Sequence, residues 1–343
     1  MKAFKIILLP LLLISACSSI SEQQETLTVD LTITPEPTTT FTPSPTFTPT
    51  ITRTPGPTPI PCPNEETPFT IDGINVFFEQ GMMQSYCNRF GGYIVKTNQW
   101  AKSIGESIHA DVFVYNSAES AAQADYTWGR KTGCNNYTSN SLPEILEGWR
   151  RGGALAYPPY KEGYSPYTDY PARVILNAAW RESSQQVASS TVHELTHTIQ
   201  YQYYGGRNPC SGSVPSWWIE GEAMYYGYGV IVGWGMPYFE LDLSECAATQ
   251  LSELPQLTNN CVYGMGREAL YLLSNLYGER SFEVWKEIDK GASFESAFET
   301  IYGISVREFS DVFEKYKMCS INQGFGVKGY LTCLPSPAST PTP

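Results

Sequence analysis

Histidine is scarce in this chain of 343 residues, which has three, at positions 109, 193 and 197. Basic residues are also few, since the chain has 22 lysines and arginines but 34 aspartates and glutamates. The net charge of −12 argues against nucleic acid as a partner, since a phosphate backbone is bound through basic residues. No C-x-x-C pair occurs, so a cysteine-ligated zinc site is not expected. There is no internal repeat, and no apolar run beyond the N-terminus reaches membrane-spanning length.

The N-terminus has the pattern of an export signal. Two lysines precede an apolar stretch, residues 6–14, and Ser15-Ala16-Cys17 follows it. This ending resembles the lipobox of bacterial lipoproteins, in which the cysteine is lipidated after cleavage; an ordinary secretory signal is the alternative. We therefore expect an extracytoplasmic protein that is anchored to the bacterial cell membrane by lipid on Cys17.

A tract rich in threonine and proline follows the signal. Residues 34–63 contain little else, and such a composition favours an extended, semi-rigid spacer. The predicted organisation is a signal peptide at 1–17, a spacer at 18–63, one domain at 64–334 with lobes at 64–185 and 186–334, and a disordered tail at 335–343.

Eight cysteines remain when Cys17 is set aside, and an even number in an exported chain suggests four disulfides. They are Cys62, Cys87, Cys134, Cys210, Cys246, Cys261, Cys319 and Cys333. The pairs Cys246–Cys261 and Cys319–Cys333 would close short loops, and we predict these two bonds.

Strand patterns dominate the first half of the folded part and helical patterns the second. The strand candidates are 69–78 (broken by a turn), 110–115, 153–157 and 173–177. The helix candidates are 85–104, 117–126, 186–204, 216–230, 263–277, 281–290, 293–301 and 305–317. The sequence therefore predicts an α+β fold with a sheet-containing N-terminal lobe and a mainly helical C-terminal lobe.

The pentapeptide His193-Glu194-Leu195-Thr196-His197 lies at the junction of these halves. On a helix, its two histidines face the same side about one turn apart, where both can bind one zinc ion. The intervening Glu194 is then placed to take a proton from a water that the metal activates.

A catalytic zinc site commonly has three protein ligands. The remaining histidine, His109, precedes a strand and is better suited to the surface. Glu220 lies in a predicted helix 23 positions after His197, and a helix packed across the first could direct it at the metal.

These motifs resemble the gluzincin branch of zinc metallopeptidases. His193-Glu194-x-x-His197 is followed by W-x-x-E-G-x-A-x-Y, which begins at Trp217. The later segments YGMGREALYL, from Tyr263, and FESAF, from Phe294, are similar to the peptidase MA-like group. The similarity covers residues 185–317 well and the first half loosely.

The resemblance implies a zinc-dependent hydrolase that acts on peptides or proteins. His193, His197 and Glu220 would bind Zn²⁺, with Glu222 as the alternative third ligand, and Glu194 would be the general base. Tyr263 would donate a hydrogen bond to the oxyanion.

Two points about this site stay open in the sequence. Tyr225 and Tyr226 compete with Tyr263 for the oxyanion role. Residues 152–156 are a candidate edge strand for pairing with a substrate backbone.

The alternative function is a surface lipoprotein that binds peptides or glycans without cleaving them, or that uses the same zinc site on another substrate. The sequence does not indicate an oligomeric state.

Overall fold

The computed structural model describes residues 62, 68–132, 141–159, 171–179, 183–204, 212–237, 243–251, 260–322 and 333–334. The predicted signal peptide, the C-terminal tail and all of the predicted spacer except Cys62 lie outside these residues. Their predictions, and the domain boundaries derived from them, stay predictions.

A five-stranded sheet forms the first half of the described chain. Its strands are β1 (Phe69–Ile71), β2 (Ile74–Phe78), β3 (Ala110–Tyr115), β4 (Ala154–Tyr157) and β5 (Ala172–Asn177). They lie in the order β1-β2-β3-β5-β4. The three inner strands are parallel, whereas β1 and β4 are antiparallel to their neighbours. The sheet is therefore mixed, with β4 at one edge.

Helices cover the sheet on both faces. The first core contains Val112 and Val174 from the sheet, Ile94 from α1 (Gln84–Ser103) and Leu195 from α4 (Ser184–Gln202). On the other face, Ile175 packs with residues of α2 (Ala118–Thr132) and α3 (Leu142–Arg151). The alternation of buried residues along β2 and β3 is the pattern of strands with one better covered face.

The second half is helical. Its elements are α5 (Ser216–Gly233), a short 3₁₀ helix (Ser244–Cys246), α6 (Asn260–Tyr277), α7 (Ser281–Asp289), α8 (Phe294–Tyr302) and α9 (Val306–Asn322). Trp218 of α5 is fully buried, and its ring centroid lies 5.3 Å from that of Phe294 and 5.8 Å from that of Phe298. This aromatic cluster fixes α5 against α8. The predicted α+β class is confirmed.

The sequence missed one helix in the described chain, α3. Its start has a signal that could have been used, because Ser141 and Glu144 form a capping box and Pro143 lies in the first turn. Helix α2 also runs to Thr132, beyond the predicted end at 126. The turn expected inside 69–78 is present, where Asp72 and Gly73 both have positive φ.

Three disulfides lie within the described residues. Cys246–Cys261 and Cys319–Cys333 confirm the two predicted pairs, and the third is Cys62–Cys87. Cys134 and Cys210 lie outside the described residues. Disulfides are typical of extracytoplasmic proteins. In the part of the chain that is described, no helix combines the length and apolarity needed to cross a membrane.

Candidate metal centre

Helix α4 carries the first two metal-ligand candidates. It begins with a capping box, in which Ser183 Oγ accepts from Gln186 N at 3.2 Å and Gln186 Oε1 accepts from Ser183 N at 3.1 Å. Almost every residue from 187 to 200 is buried, so this helix lies in the interior of the fold. His193 and His197 are 7% and 5% exposed.

Helix α5 supplies the third candidate. Trp217 and Trp218 bury its first turn in the aromatic core, and Glu220 follows two positions after Trp218. Gly227 lets the two helices approach, because a Cβ there would lie 3.1 Å from the Ser189 carbonyl oxygen and 3.5 Å from Cβ of His193. The crossing of α4 and α5 therefore sets where Glu220 meets the histidines.

Three ligand atoms converge at this crossing. The Nε2 atoms of His193 and His197 lie 3.1 Å apart, and Glu220 Oε2 lies 3.3 Å and 3.4 Å from them. Ligand atoms about 2.1 Å from the centre of a tetrahedron lie about 3.4 Å from one another. The spacing therefore fits three corners of a tetrahedral metal site, and this His–His–Glu group could bind a metal.

Glu220 and the two histidines interact strongly with one another. Burial alone would raise the pKa of Glu220, but the charge of His197 and hydrogen bonds from both histidines lower it well below its usual range. Burial would lower the pKa of His197, yet the Glu220 carboxylate raises it to about 9. A carboxylate that stays ionised among nitrogen donors is a suitable partner for a transition metal.

A second layer of hydrogen bonds holds His197. Its Nδ1 lies 2.7 Å from Gln200 Oε1, and Gln200 Nε2 donates to Glu222 Oε2 at 2.8 Å. Trp285 Nε1 also donates to Glu222 Oε2, at 2.5 Å. Such a bond at Nδ1 leaves the Nε2 lone pair directed at the metal position.

Glu222, the alternative ligand, therefore has a different place in the site. It is fully buried and outside the three-residue ligand group, and it supports His197 through Gln200. Burial raises its pKa to about 7 despite hydrogen bonds from Ser281, Gln200 and Trp285.

Glu194 lies beside the ligands and against the edge of the sheet. It is 7% exposed, and burial raises its pKa, while the two histidines and a hydrogen bond from the Ala156 backbone N–H lower it. The carbonyl of Ala156 accepts from Tyr201 Oη at 3.2 Å. Strand β4 is thus fixed to α4 through both backbone groups of one residue.

The three tyrosine candidates for the oxyanion role lie in different surroundings. The ring of Tyr263 lies 6.0 Å from that of His193, centroid to centroid. Tyr225 Oη instead donates to Glu279 Oε1 at 2.8 Å and lies 3.0 Å from Ser274 Oγ, and Tyr226 Oη lies 3.1 Å from Ser281 Oγ. The structure brings Tyr263 to the candidate site and engages the other two hydroxyls elsewhere. His109 is exposed, as expected.

A separate cleft of about 570 Å³ is lined mainly by aromatic side chains. Its described lining residues are Trp100, Ser103, Tyr225, Tyr226, Tyr228, Gly229, Val230, Val232, Gly233, Trp234, Arg267, Tyr271 and Glu279. They include neither the ligand candidates nor Glu194. The candidate metal centre therefore rests on its ligand geometry and not on this cleft.

Sequence reasoning missed Gln200 and Tyr201, and it placed Ala156 on an edge strand without predicting its contact with Glu194. Gln200 could have been found, because a residue three positions after His197 shares its helix face. No local signal marks Ala156, whose role depends on a contact between the sheet and α4.

No protein-family model matches the chain, and no curated protein matches it. The fold and the site together define an α+β protein with a buried His–His–Glu group that could bind a metal.

Proposed function

We propose that this chain is a gluzincin-like, zinc-dependent peptidase. The observation that carries the proposal is the position of Glu194, a buried carboxylate beside a three-ligand metal group and against an edge strand. A site that bound zinc only for structure would more often have four protein ligands and no such carboxylate.

Zinc is the proposed metal because the donors are two imidazoles and one carboxylate with tetrahedral spacing. His193, His197 and Glu220 would hold it. When bound, zinc at an open site lowers the pKa of a water to about 7 and polarises a carbonyl.

Glu194 is the proposed general base. It takes a proton from the water whose oxygen attacks the peptide carbonyl carbon. It then delivers that proton to the amide nitrogen, which leaves as an amine when the carbon–nitrogen bond breaks. Burial raises the pKa of Glu194, and a raised pKa suits a carboxylate that must both accept and return a proton. Tyr263 is proposed to hydrogen-bond the oxyanion from the His193 side of the site.

The edge strand supports a peptide as substrate. Asn177 N donates to Gly153 O at 2.8 Å, so alternation along β4 directs the backbone groups of Ala154 and Ala156 away from β5. The backbone N–H of Ala156 already donates to Glu194, and its carbonyl oxygen accepts from Tyr201 Oη. Ala154 is therefore the proposed residue that pairs with an extended substrate backbone.

A mixed peptide library tests the proposal. Purified protein should cleave peptides, a chelator should stop cleavage, and added Zn²⁺ should restore it. Glu194→Gln should retain the metal and lose cleavage. Turnover that survives this substitution, or a metal content of iron instead of zinc, would contradict the proposed mechanism.

The proposed location is the outer surface of a bacterial membrane, with the lipid on Cys17 as the anchor. The disulfides support an oxidising compartment. Cys17→Ser should move the protein from the membrane fraction to the soluble fraction, and unchanged membrane attachment would count against the lipid anchor.

A second candidate function is binding of peptides or glycans without cleavage, which the aromatic cleft favours. Aromatic faces bind sugars and extended peptides by stacking. Titration of wild type and Trp100→Ala with peptide and glycan mixtures tests it. Binding that Trp100→Ala abolishes, in a protein that cleaves nothing, would select this function over the peptidase.

A further inference from the structure

Asp125 of α2 is a buried carboxylate with no part in the proposed chemistry. It is 3% exposed, it accepts from Trp149 Nε1 at 2.7 Å, and the hydroxyl of Tyr157 donates to its other oxygen. Burial raises the pKa of Asp125, although both hydrogen bonds lower it. Burying a carboxylate costs free energy that an apolar side chain of similar size would not cost. The hydrogen-bond partners of Asp125 therefore indicate its role.

Those partners lie on a helix of the opposite face of the sheet and on the edge strand that contacts α4. Trp149 is on α3, and Tyr157 is the last residue of the edge strand β4. Asn177 reinforces the arrangement, because its Nδ2 donates to the Trp149 carbonyl at 3.0 Å and its backbone N donates to Gly153 O at 2.8 Å. One end of β4 is thus held by Asn177 and the other by Asp125.

Strand β4 has hydrogen-bonded strand neighbours on one side only among the described residues. An edge strand with few partners is free to shift unless side chains fix it. Ala156, the residue before Tyr157, contacts Glu194 and Tyr201 through its backbone. A displacement at Tyr157 would therefore move the groups that meet Glu194.

We propose that Asp125 is a positioning residue that acts through Tyr157 to hold β4 where Ala156 meets Glu194 and Ala154 can meet substrate. The activity part of this proposal rests on the proposed peptidase function. The structural part, an Asp125-dependent position of β4, does not.

The test uses Asp125→Asn, Tyr157→Phe and the double variant in the full chain. An amide at 125 keeps one acceptor oxygen for Trp149 and turns its NH₂ toward Tyr157, whose hydroxyl loses its carboxylate acceptor and has to accept instead of donate. Phenylalanine at 157 removes that hydroxyl. The double variant should therefore be no more impaired than the more impaired single variant, a non-additivity that independent damage would not give.

Tyr203→Phe is the matched control. The hydroxyl of Tyr203 also donates to a buried carboxylate, that of Glu106, but it lies at the end of α4 and not on β4. All four variants are measured for zinc content, for hydrogen exchange of the β4 peptide by mass spectrometry, and for KM and kcat on a cleaved peptide.

Both single variants at the Asp125–Tyr157 pair should speed exchange in β4 about tenfold and leave zinc content unchanged. Their kcat/KM should fall about tenfold or more, with KM raised, because small misplacements of binding groups are costly. Tyr203→Phe should change neither β4 exchange nor KM.

The proposal is overturned if hydrogen exchange in β4 stays at the wild-type rate in both Asp125→Asn and Tyr157→Phe. It is also overturned if Tyr203→Phe speeds this exchange as much as they do. A double variant whose losses simply add overturns it as well. If the wild type cleaves no peptide, the peptidase function fails, while the exchange measurements still decide the role of Asp125.

Discussion

Gly221 of α5 and Gly266 of α6 touch backbone to backbone. A Cβ at Gly221 would lie 2.4 Å from the carbonyl carbon of Gly266, and one at Gly266 would lie 2.3 Å from the Trp217 carbonyl oxygen. No side chain fits at either position. The contact lies directly after Glu220 and three residues after Tyr263, so it sets the distance between two helices that both supply the candidate site.

Gly266→Ala should force α5 and α6 apart. Overpacking of this kind costs about 1–3 kcal/mol, and the displacement of Glu220 should also weaken metal binding. Thermal unfolding and metal analysis measure the two effects. Gly229→Ala is the control, because a Cβ added there would have nothing within 4 Å and alanine favours the helix. Equal stability of the two variants would contradict the close contact.

Glu220→Ala should remove a ligand atom and lower zinc content steeply after dialysis. Glu222→Gln should retain most of the zinc, because Glu222 supports His197 only through Gln200. Outer-layer changes of this kind weaken metal affinity about 10–100-fold. Zinc content should be measured by elemental analysis across a chelator series. Loss of zinc from the Glu222 variant alone would move the ligand role to that residue.

Tyr263→Phe should lower kcat about 10²–10³-fold with little change in zinc content, since one oxyanion donor has about this effect. Tyr225→Phe is the paired control, because its hydroxyl already contacts Ser274 and Glu279. Steady-state kinetics on one peptide compare the two. A larger loss of kcat in the Tyr225 variant would reverse the assignment.

Ala154→Pro should raise KM for peptides while the fold and zinc content persist. Proline removes a single N–H, and at an edge strand that N–H faces away from the sheet. Circular dichroism and kinetics distinguish a local effect from unfolding. An unchanged KM would exclude substrate pairing at this residue.

Stability should depend on pH through Asp125. Its pKa is raised in the folded state by burial, so the unfolded chain binds fewer protons above its own pKa of about 4. The neutral carboxyl of Asp125 therefore stabilises the folded state fully below the unfolded-state pKa. This stabilisation is lost as pH rises through the higher pKa of the folded state. Tyr157 is its ionisable contact on β4, and Glu144 lines the same small cavity. Asp125→Asn should flatten this part of the profile in denaturant titrations; an identical profile would contradict it.

The sequence was sufficient for most of the fold because the signals are local. The predicted strand at 110–115 matches β3, and the helices after 183 differ from prediction by a few residues at their ends. Helix α3 was missed although Ser141, Pro143 and Glu144 give a local signal for its start. The candidate site was predictable where it depends on residues of one helix. His193 and His197 are one helical turn apart, so their convergence follows from helix geometry alone.

The sequence by itself determined the fold class and the spacing of the two histidines around Glu194. It also predicted two disulfide pairs, which the structure confirms. Only the tertiary structure decided that Glu220 and not Glu222 meets the histidines, because adjacent faces of α5 point to different neighbours. It also decided that Ala156 contacts Glu194 and that Tyr263 lies beside His193. These contacts join segments far apart in the chain, and their geometry depends on how helices and sheet pack, which no local pattern of residues specifies.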